Sequence, residues 1–162
     1  MAGVGNVLRG DDGFGVAVAE RLVAGGVPDE VRVLDVGIGG IDLVHELMEA
    51  ADALVVVDAV DVGRAPGSVV VIEPEVRDVK AMPLLERHDE LADMHYATPE
   101  RAMMLARALD VLPGHVWIVG CQPEGADRLG EGLSPAAAAG VDAAAREVRR
   151  LVTELGVPWN VS

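Results

Sequence analysis

The sequence predicts an α/β protein with a mainly parallel sheet and helices on both faces. Two observations support this prediction. Short β-rich runs alternate with helical stretches along the chain, and the run at residues 53–57 is apolar throughout, which is typical of a strand covered on both faces. The length of 162 residues favours a single domain, residues 1–162.

Each element follows from a local pattern. Phe14, Val18 and Leu22 recur every four residues and predict a helix over 14–23, which two glycines end. A strand at 31–36, an amphipathic helix at 41–50 and strands at 53–57 and 68–72 follow, and then an irregular, charged stretch at 74–93. Thr-Pro predicts a helix start at 98, a strand follows at 116–119, and Ser-Pro predicts a last helix from 134 to 155.

Composition excludes several classes of protein. The net charge of −14 repels phosphate backbones and anionic lipids, and an aromatic content of 2% leaves no platform for stacking bases. A single cysteine allows no internal disulfide and no cysteine-built zinc site. The sequence has no apolar run of membrane-spanning length and no signal-peptide pattern, so we expect a soluble, cytoplasmic protein without nucleic-acid or membrane partners.

Loops after the strands are the places to look for ligands, because ligands of such sheets bind beyond the carboxyl ends of the strands. The glycine-rich opening segment, residues 3–15, places Asp11 and Asp12 just before a helix. Carboxylates there disfavour a nucleotide phosphate and favour a cation. The alternative is that one of them is only a helix N-cap. Asp58 ends an apolar run, where it is either metal-bound or held by backbone hydrogen bonds.

Histidine and cysteine supply few further candidates. His95 precedes a helix start and is placed to face the same edge as Asp12 and Asp58, whereas His45, His88 and His115 have the pattern of surface residues. Cys121 follows the last strand with no basic neighbour to lower its pKa, so a buried, inert thiol is expected rather than a nucleophile.

Taken together, these segments resemble the hydrogenase maturation endopeptidases, which process the large subunit of [NiFe]-hydrogenases. The resemblance covers nearly the whole chain. It rests on the pattern Gly-x-Gly-Asn-x-Leu-x-Gly-Asp-Asp-Gly-x-Gly, the strand-ending Asp58, a histidine before a helix and Pro123-Glu124. It implies an α/β/α sandwich of about five strands and removal of a C-terminal peptide from a nickel-loaded large-subunit precursor, with the precursor's nickel as the recognition element. The implied metal-binding and catalytic residues are Asp12, Asp58 and His95.

Two carboxylates and an imidazole suit a divalent first-row ion with open coordination positions. Either the ion activates the carbonyl or water, or an aspartate acts as general base, and the sequence leaves both routes open. A non-catalytic metal-binding or scaffold protein of the same fold is the alternative function, and a nucleotide-binding enzyme is disfavoured by the acidic loop.

The chain departs from the family pattern at two places. Only Met1 and Ala2 precede Gly3, where the family has a longer apolar strand, so either the first strand is truncated or the start codon lies upstream of Met1, and our hypothesis is the upstream start codon. Ile38 stands where the family has threonine, which affects the expected substrate details and not the reaction class.

Overall fold

A computed structural model describes residues 1–83, 86, 98–125 and 129–159 of the chain. In these ranges the strands are β1 (Ala2–Val4), β2 (Leu34–Gly37), β3 (Ala53–Ala59), β4 (Val69–Ile72) and β5 (His115–Cys121). The α-helices are α1 (Phe14–Ala24), α2 (Gly40–Leu47), α3 (Pro99–Ala108) and α4 (Pro135–Glu154). Short 3-10 helices lie at Gly10–Gly13 and Val79–Ala81.

The described strands form one sheet in the order β2-β1-β3-β5-β4. All neighbouring strands are parallel except β4, which runs antiparallel to β5. The longest pairing joins β3 and β5 from Ala53 opposite His115 to Ala59 opposite Cys121. The predicted α/β class and mainly parallel sheet are therefore confirmed. The carboxyl ends of β1, β3 and β5 lie together, and we call this end of the sheet the carboxyl edge.

Alternate residues of β3 enter two separate cores. Val55 and Val57 pack with Phe14 of α1 and Val148 of α4 on one face. Val56 packs with residues of α2 and α3 such as Leu43 on the other face. Because both faces of the strand are covered, its sequence is apolar throughout rather than alternating. The result is the expected three-layer α/β/α sandwich.

Four elements have a boundary that differs from the prediction by two residues or more. The strand predicted at 31–36 starts only at Leu34, because β1 pairs with β2 only from that residue on. The helix predicted to reach residue 50 ends at Leu47, since the next two amides bond three residues back in a tighter turn. The strand predicted at 116–119 covers His115–Cys121, and β3 continues through Asp58 to Ala59, because β3 and β5 pair along their full length.

Strand β1 is short, with three residues, as the resemblance implied. It nevertheless lies between β2 and β3, where Ala2 is opposite both Leu34 and Val56. Its carboxyl end leads directly into the opening loop, residues 5–13. This central position is what brings the opening loop next to the end of β3.

Candidate active site

Two glycines bring the opening loop close to the strand ends. A Cβ on Gly15 would lie 2.1 Å from the carbonyl oxygen of Val57 and 2.3 Å from that of Val4, so the first turn of α1 rests directly on β1 and β3. Gly5 has a φ of +129°, and a Cβ there would lie 1.7 Å from the carbonyl oxygen of Asp12. A side chain at either position would separate the loop from the sheet. The two glycines thus place Asp12 beside the end of β3.

Asp58 is the penultimate residue of β3 and is half-buried. Its Oδ1 accepts a 2.8 Å hydrogen bond from the amide of Ala59. Burial is the main cause that raises the pKa of the Asp58 carboxyl to about 7; the negative charge of Asp12 adds to it, and the Ala59 hydrogen bond opposes it. The two carboxylates are therefore close enough to interact electrostatically, and Asp58 carries a proton for part of the time at neutral pH.

The carboxylate of Asp12 is oriented by the Gly-Asn turn of the opening loop. The backbone amide of Asn6 donates to Oδ2 of Asp12 at 3.0 Å. The side-chain Oδ1 of Asn6 accepts from the backbone amide of Leu8, also at 3.0 Å. Neither Asp11 nor Asp12 caps a helix, because the N-cap of α1 is Gly13 and that of the preceding 3-10 helix is Arg9, and neither helix has a side-chain cap. The N-cap alternative is therefore wrong for both residues.

Asp11 points away from Asp12 and has a different environment. Its side chain is 3% exposed and accepts hydrogen bonds from the Glu124 amide (2.8 Å), the Ser134 amide (2.6 Å) and the Ser134 hydroxyl (2.9 Å). Burial disfavours the charged form, but these hydrogen bonds outweigh it and hold the pKa of the Asp11 carboxyl below its usual range. Both oxygens are occupied, so Asp11 is not available to a ligand.

Gln122 is a second buried polar residue at this edge, and no pattern in the sequence singles it out. Its Oε1 accepts from the amides of Val62 (2.9 Å) and Arg64 (3.1 Å), and its Nε2 donates to Oδ1 of Asp61 at 3.1 Å. These partners lie about 60 positions earlier in the chain, just after Asp58. Only a glutamine directly following the last strand, before a proline, could have hinted at this role.

Cys121 is the expected inert thiol. It is 1% exposed, and burial together with the nearby charge of Asp11 raises its pKa to about 11. A thiol with this pKa is not ionised at neutral pH and is a poor nucleophile.

The predicted trio is brought together in part. Asp12 and Asp58 lie at the carboxyl edge as expected, whereas His95 lies outside the described residues, as does His88. The described part of the chain holds no group of three His, Cys, Asp or Glu side chains with metal-binding geometry. His45 and His115 are exposed, as their patterns predicted, and the ring of His115 stacks on Trp117.

The chemistry of the two carboxylates suits a divalent cation. Hydrogen bonds from the described residues use Oδ2 of Asp12 and Oδ1 of Asp58 and leave the other oxygen of each for a ligand. The like charges repel when both groups are ionised, and a cation between them would remove that repulsion. Adding one imidazole would give a donor set that first-row metals such as nickel accept.

Exposed apolar side chains border the carboxylates. The opening loop is tied to the end of β2 by the Gly5 amide, which donates to the Gly37 carbonyl, and to residue 130 by the Gly130 amide, which donates to the Leu8 carbonyl. The side chains carried by these linked segments form what we call the apolar rim: Val7, Leu8, Ile38 (72% exposed) and Leu129 (83% exposed). Exposed apolar side chains clustered next to polar groups are typical of a binding surface.

Known proteins share both the sequence and the fold. The family model for hydrogenase maturation protease, HycI, matches residues 16–151. The chain belongs to the hydrogenase maturation protease family. The hydrogenase expression/formation protein HupD of Rhodobacter capsulatus is 34% identical over 158 residues, which are 97% of this chain and 72% of HupD.

Two solved structures agree with this membership. The hydrogenase maturating endopeptidase HybD of Escherichia coli aligns with a TM-score of 0.74 and 28% identity, over 97% of this chain and 93% of HybD. The hydrogenase 2 maturation peptidase of a Thaumarchaeota archaeon aligns with a TM-score of 0.64 and 32% identity, over 93% and 95% of the two chains. As a hydrogenase maturation protease the chain is a peptidase, and the predicted three-layer fold is that of the family.

No helix in the described ranges is both long enough and apolar enough to cross a bilayer.

Proposed function

We propose that this chain is the endopeptidase that removes the C-terminal extension of a nickel-loaded [NiFe]-hydrogenase large-subunit precursor. The observation that carries the proposal is the pair Asp12 and Asp58, which interact electrostatically at the carboxyl edge and each keep one oxygen that accepts no hydrogen bond from the described residues. Membership of the hydrogenase maturation protease family supports the reaction class.

The nickel of the precursor belongs to the substrate and serves as the recognition element. Asp12, Asp58 and His95 would bind it through two carboxylate oxygens and one imidazole nitrogen, and the remaining positions would stay with the precursor's own ligands. When bound, such an ion attracts electron density from an oxygen next to it and holds the peptide in place. A precursor without nickel would then not be positioned for cleavage.

The acid–base chemistry of Asp58 favours a role in the hydrolysis itself. The pKa of about 7 belongs to the metal-free protein, and a bound cation lowers it, so with nickel present Asp58 is an ionised carboxylate that can accept a proton from water. In the proposed step a water oxygen attacks the scissile carbonyl carbon while Asp58 accepts the water proton. The C–N bond then breaks, and the proton passes to the departing amine. Asp12 is held in place by the Asn6 backbone amide, which donates to its Oδ2 at 3.0 Å.

The proposed partner is the large-subunit precursor, and the apolar rim beside the carboxylates is the surface that would receive its polypeptide. We place the reaction in the cytoplasm, because a chain with a single, unpaired cysteine suits a reducing compartment.

Purified protein incubated with nickel-loaded precursor tests the proposal, with intact mass spectrometry as the readout. Wild type should shorten the precursor by its C-terminal extension, and Asp12→Ala, Asp58→Ala and His95→Ala should each abolish this. Asp52→Ala is the matched control, since Asp52 is an exposed aspartate before β3 at the opposite edge of the sheet. If wild type binds the loaded precursor but leaves it intact, the chain is instead a non-catalytic metal-binding or scaffold protein.

A further inference from the structure

The loop between β5 and α4 carries none of the candidate metal ligands, but it contacts both of the segments that carry Asp12 and Asp58. The described residues of this β5–α4 loop, 122–125 and 129–134, contact the opening loop before Asp12 and the segment after Asp58. Both sets of contacts use side chains buried from solvent.

The first set of contacts is centred on Asp11. Glu124 and Ser134, at the two ends of the β5–α4 loop, donate three hydrogen bonds to its carboxylate. All three donors are 113 to 123 positions away in the sequence. Charge-assisted hydrogen bonds to a buried carboxylate are stronger than bonds between neutral groups. Asp11 is the residue before Asp12, so its position sets where the Asp12 backbone can lie.

Backbone hydrogen bonds reinforce the same contact. The Gly10 amide donates to the Gly130 carbonyl at 2.9 Å, and the Gly130 amide donates to the Leu8 carbonyl at 3.1 Å. The opening loop is therefore paired with the β5–α4 loop on the residues just before Asp11. It has little freedom to move away from the sheet while these bonds persist.

The second set of contacts is centred on Gln122. Its side-chain amide binds Val62, Arg64 and Asp61, which follow Asp58 by only a few residues. Its backbone also bonds the next stretch, since the Gly67 amide donates to the Gln122 carbonyl and the Gln122 amide donates to the Ser68 carbonyl. The segment that leaves β3 is thus fixed to the same loop that binds Asp11.

We propose that Asp11 and Gln122 are positioning residues, through which the β5–α4 loop sets the separation of Asp12 and Asp58 for the metal they bind. This inference rests on the proposed function, because it takes Asp12 and Asp58 as metal-binding residues. Neither Asp11 nor Gln122 contacts substrate. Both act by fixing the backbone from which the ligands project, and losing such outer contacts typically lowers metal affinity 10- to 100-fold.

Two substitutions remove one set of contacts each. In Asp11→Asn, an NH₂ group replaces one acceptor oxygen and faces an N–H or O–H donor. In Gln122→Glu, a carboxylate oxygen replaces Nε2 and faces the carboxylate of Asp61. The double variant Gln122→Glu/Asp61→Asn restores this contact with the donor and acceptor exchanged, but it loses the 3.1 Å bond that Oδ1 of Asp61 accepts from the Gly63 amide. It therefore serves as a partial rescue of the second set of contacts.

The measurements are Ni²⁺ affinity by isothermal titration with nickel chloride, kcat and KM for precursor cleavage, and the folded fraction from urea unfolding. We expect each single variant to remain folded and to bind Ni²⁺ 10- to 100-fold more weakly, with kcat falling more than KM rises, and the double variant to recover most of the affinity. Trp159→Phe is the control. It loses the buried 2.8 Å bond from Trp159 to the Gly26 carbonyl, at the far end of α1, and should keep wild-type affinity.

Wild-type nickel affinity in folded Asp11→Asn and Gln122→Glu, or an equal loss in Trp159→Phe, would overturn the proposal. Asp12→Ala and Asp58→Ala separate this failure from that of the proposed function. If both lose nickel while the two positioning variants keep it, only the positioning role is wrong. If wild type binds no nickel, or if both alanine variants bind it as wild type does, the metal site itself is wrong and the positioning role falls with it.

Discussion

Replacing Asp58 with asparagine should stabilise the protein while abolishing its activity. Asparagine keeps an oxygen that can accept the 2.8 Å hydrogen bond from the Ala59 amide. It removes the charge that burial and Asp12 disfavour. The substitution therefore separates the effect of the Asp58 charge on the free energy of unfolding from its role in cleavage.

The magnitude follows from the pKa of Asp58. The difference between its pKa of about 7 and the ordinary value of 3.8 corresponds to about 4 kcal/mol at roughly 1.4 kcal/mol per pKa unit. The folded state binds the proton more tightly than the unfolded state, so this group lowers the free energy of unfolding as pH rises from about 4 to 7. Above pH 7 the loss is complete. Solvent reaches part of the side chain, so we expect roughly 2–4 kcal/mol.

Urea unfolding of wild type and Asp58→Asn at pH 4 and pH 8 measures the effect. The stability difference in favour of Asp58→Asn should be small at pH 4 and should grow by roughly 2–4 kcal/mol at pH 8. Contributions of the other titrating groups cancel in the comparison. Asp52→Asn, an exposed aspartate at the other end of the same strand, should show little change between the two pH values.

A stability difference that does not change with pH would refute this reasoning, because the effect would then not come from ionisation. A destabilised Asp58→Asn at pH 8 would refute it as well. It would mean that the carboxylate makes a favourable contact in the apo protein that asparagine cannot make.

Three further predictions concern other parts of the molecule. In urea unfolding, Gly15→Ala should lower the free energy of unfolding by about 3 kcal/mol or more, since its Cβ would overlap the Val57 carbonyl. Gly114→Ala is the control: a Cβ there has nothing within 4 Å, so the free energy of unfolding should change by less than about 1 kcal/mol. Leu8→Asp should raise KM for the precursor without changing the unfolding midpoint, because its side chain is 57% exposed on the apolar rim; an unchanged KM would exclude the rim from docking. Nickel affinity in wild type should fall as pH drops below about 7, because Asp58 becomes protonated, and more steeply below about pH 6, because only neutral imidazole binds metal. His95→Ala should lose the steeper part of this fall, and a titration curve of the same shape as wild type would exclude His95.

The fold could be read from the sequence because its signals are local. The apolar run of β3 reports a strand covered on both faces, and Thr98 and Ser134 cap the helices that follow them, as predicted. The antiparallel direction of β4 carries no local signal, since it depends on which strand β4 pairs with. The start of β2 depends in the same way on where β1 begins to pair.

The site was predictable where a residue's own segment explains it. Burying a charged side chain at the end of an apolar strand is unfavourable unless it is hydrogen-bonded or binds a metal, and this singles out Asp58. Asp11 and Asp12 could not be told apart from the residues around them, and only the family resemblance singled out Asp12. The environments of the two side chains differ because of their hydrogen-bond partners. Asp12 accepts from Asn6, six residues earlier, whereas Asp11 accepts from Ser134, 123 residues later. Gln122 was missed for the same reason.

The adjacent aspartates show how the fold tolerates concentrated negative charge at one edge. Asp11 lies in a fully hydrogen-bonded environment, so its charge is stabilised and strengthens the fold. Asp58 lies where burial and Asp12 destabilise its charge, so the same functional group weakens the fold. A carboxylate satisfied by the protein has nothing left for a cation, and one destabilised by the protein gains most from binding it. The contrast in environment therefore separates the aspartate that supports the site from the one that would bind the metal.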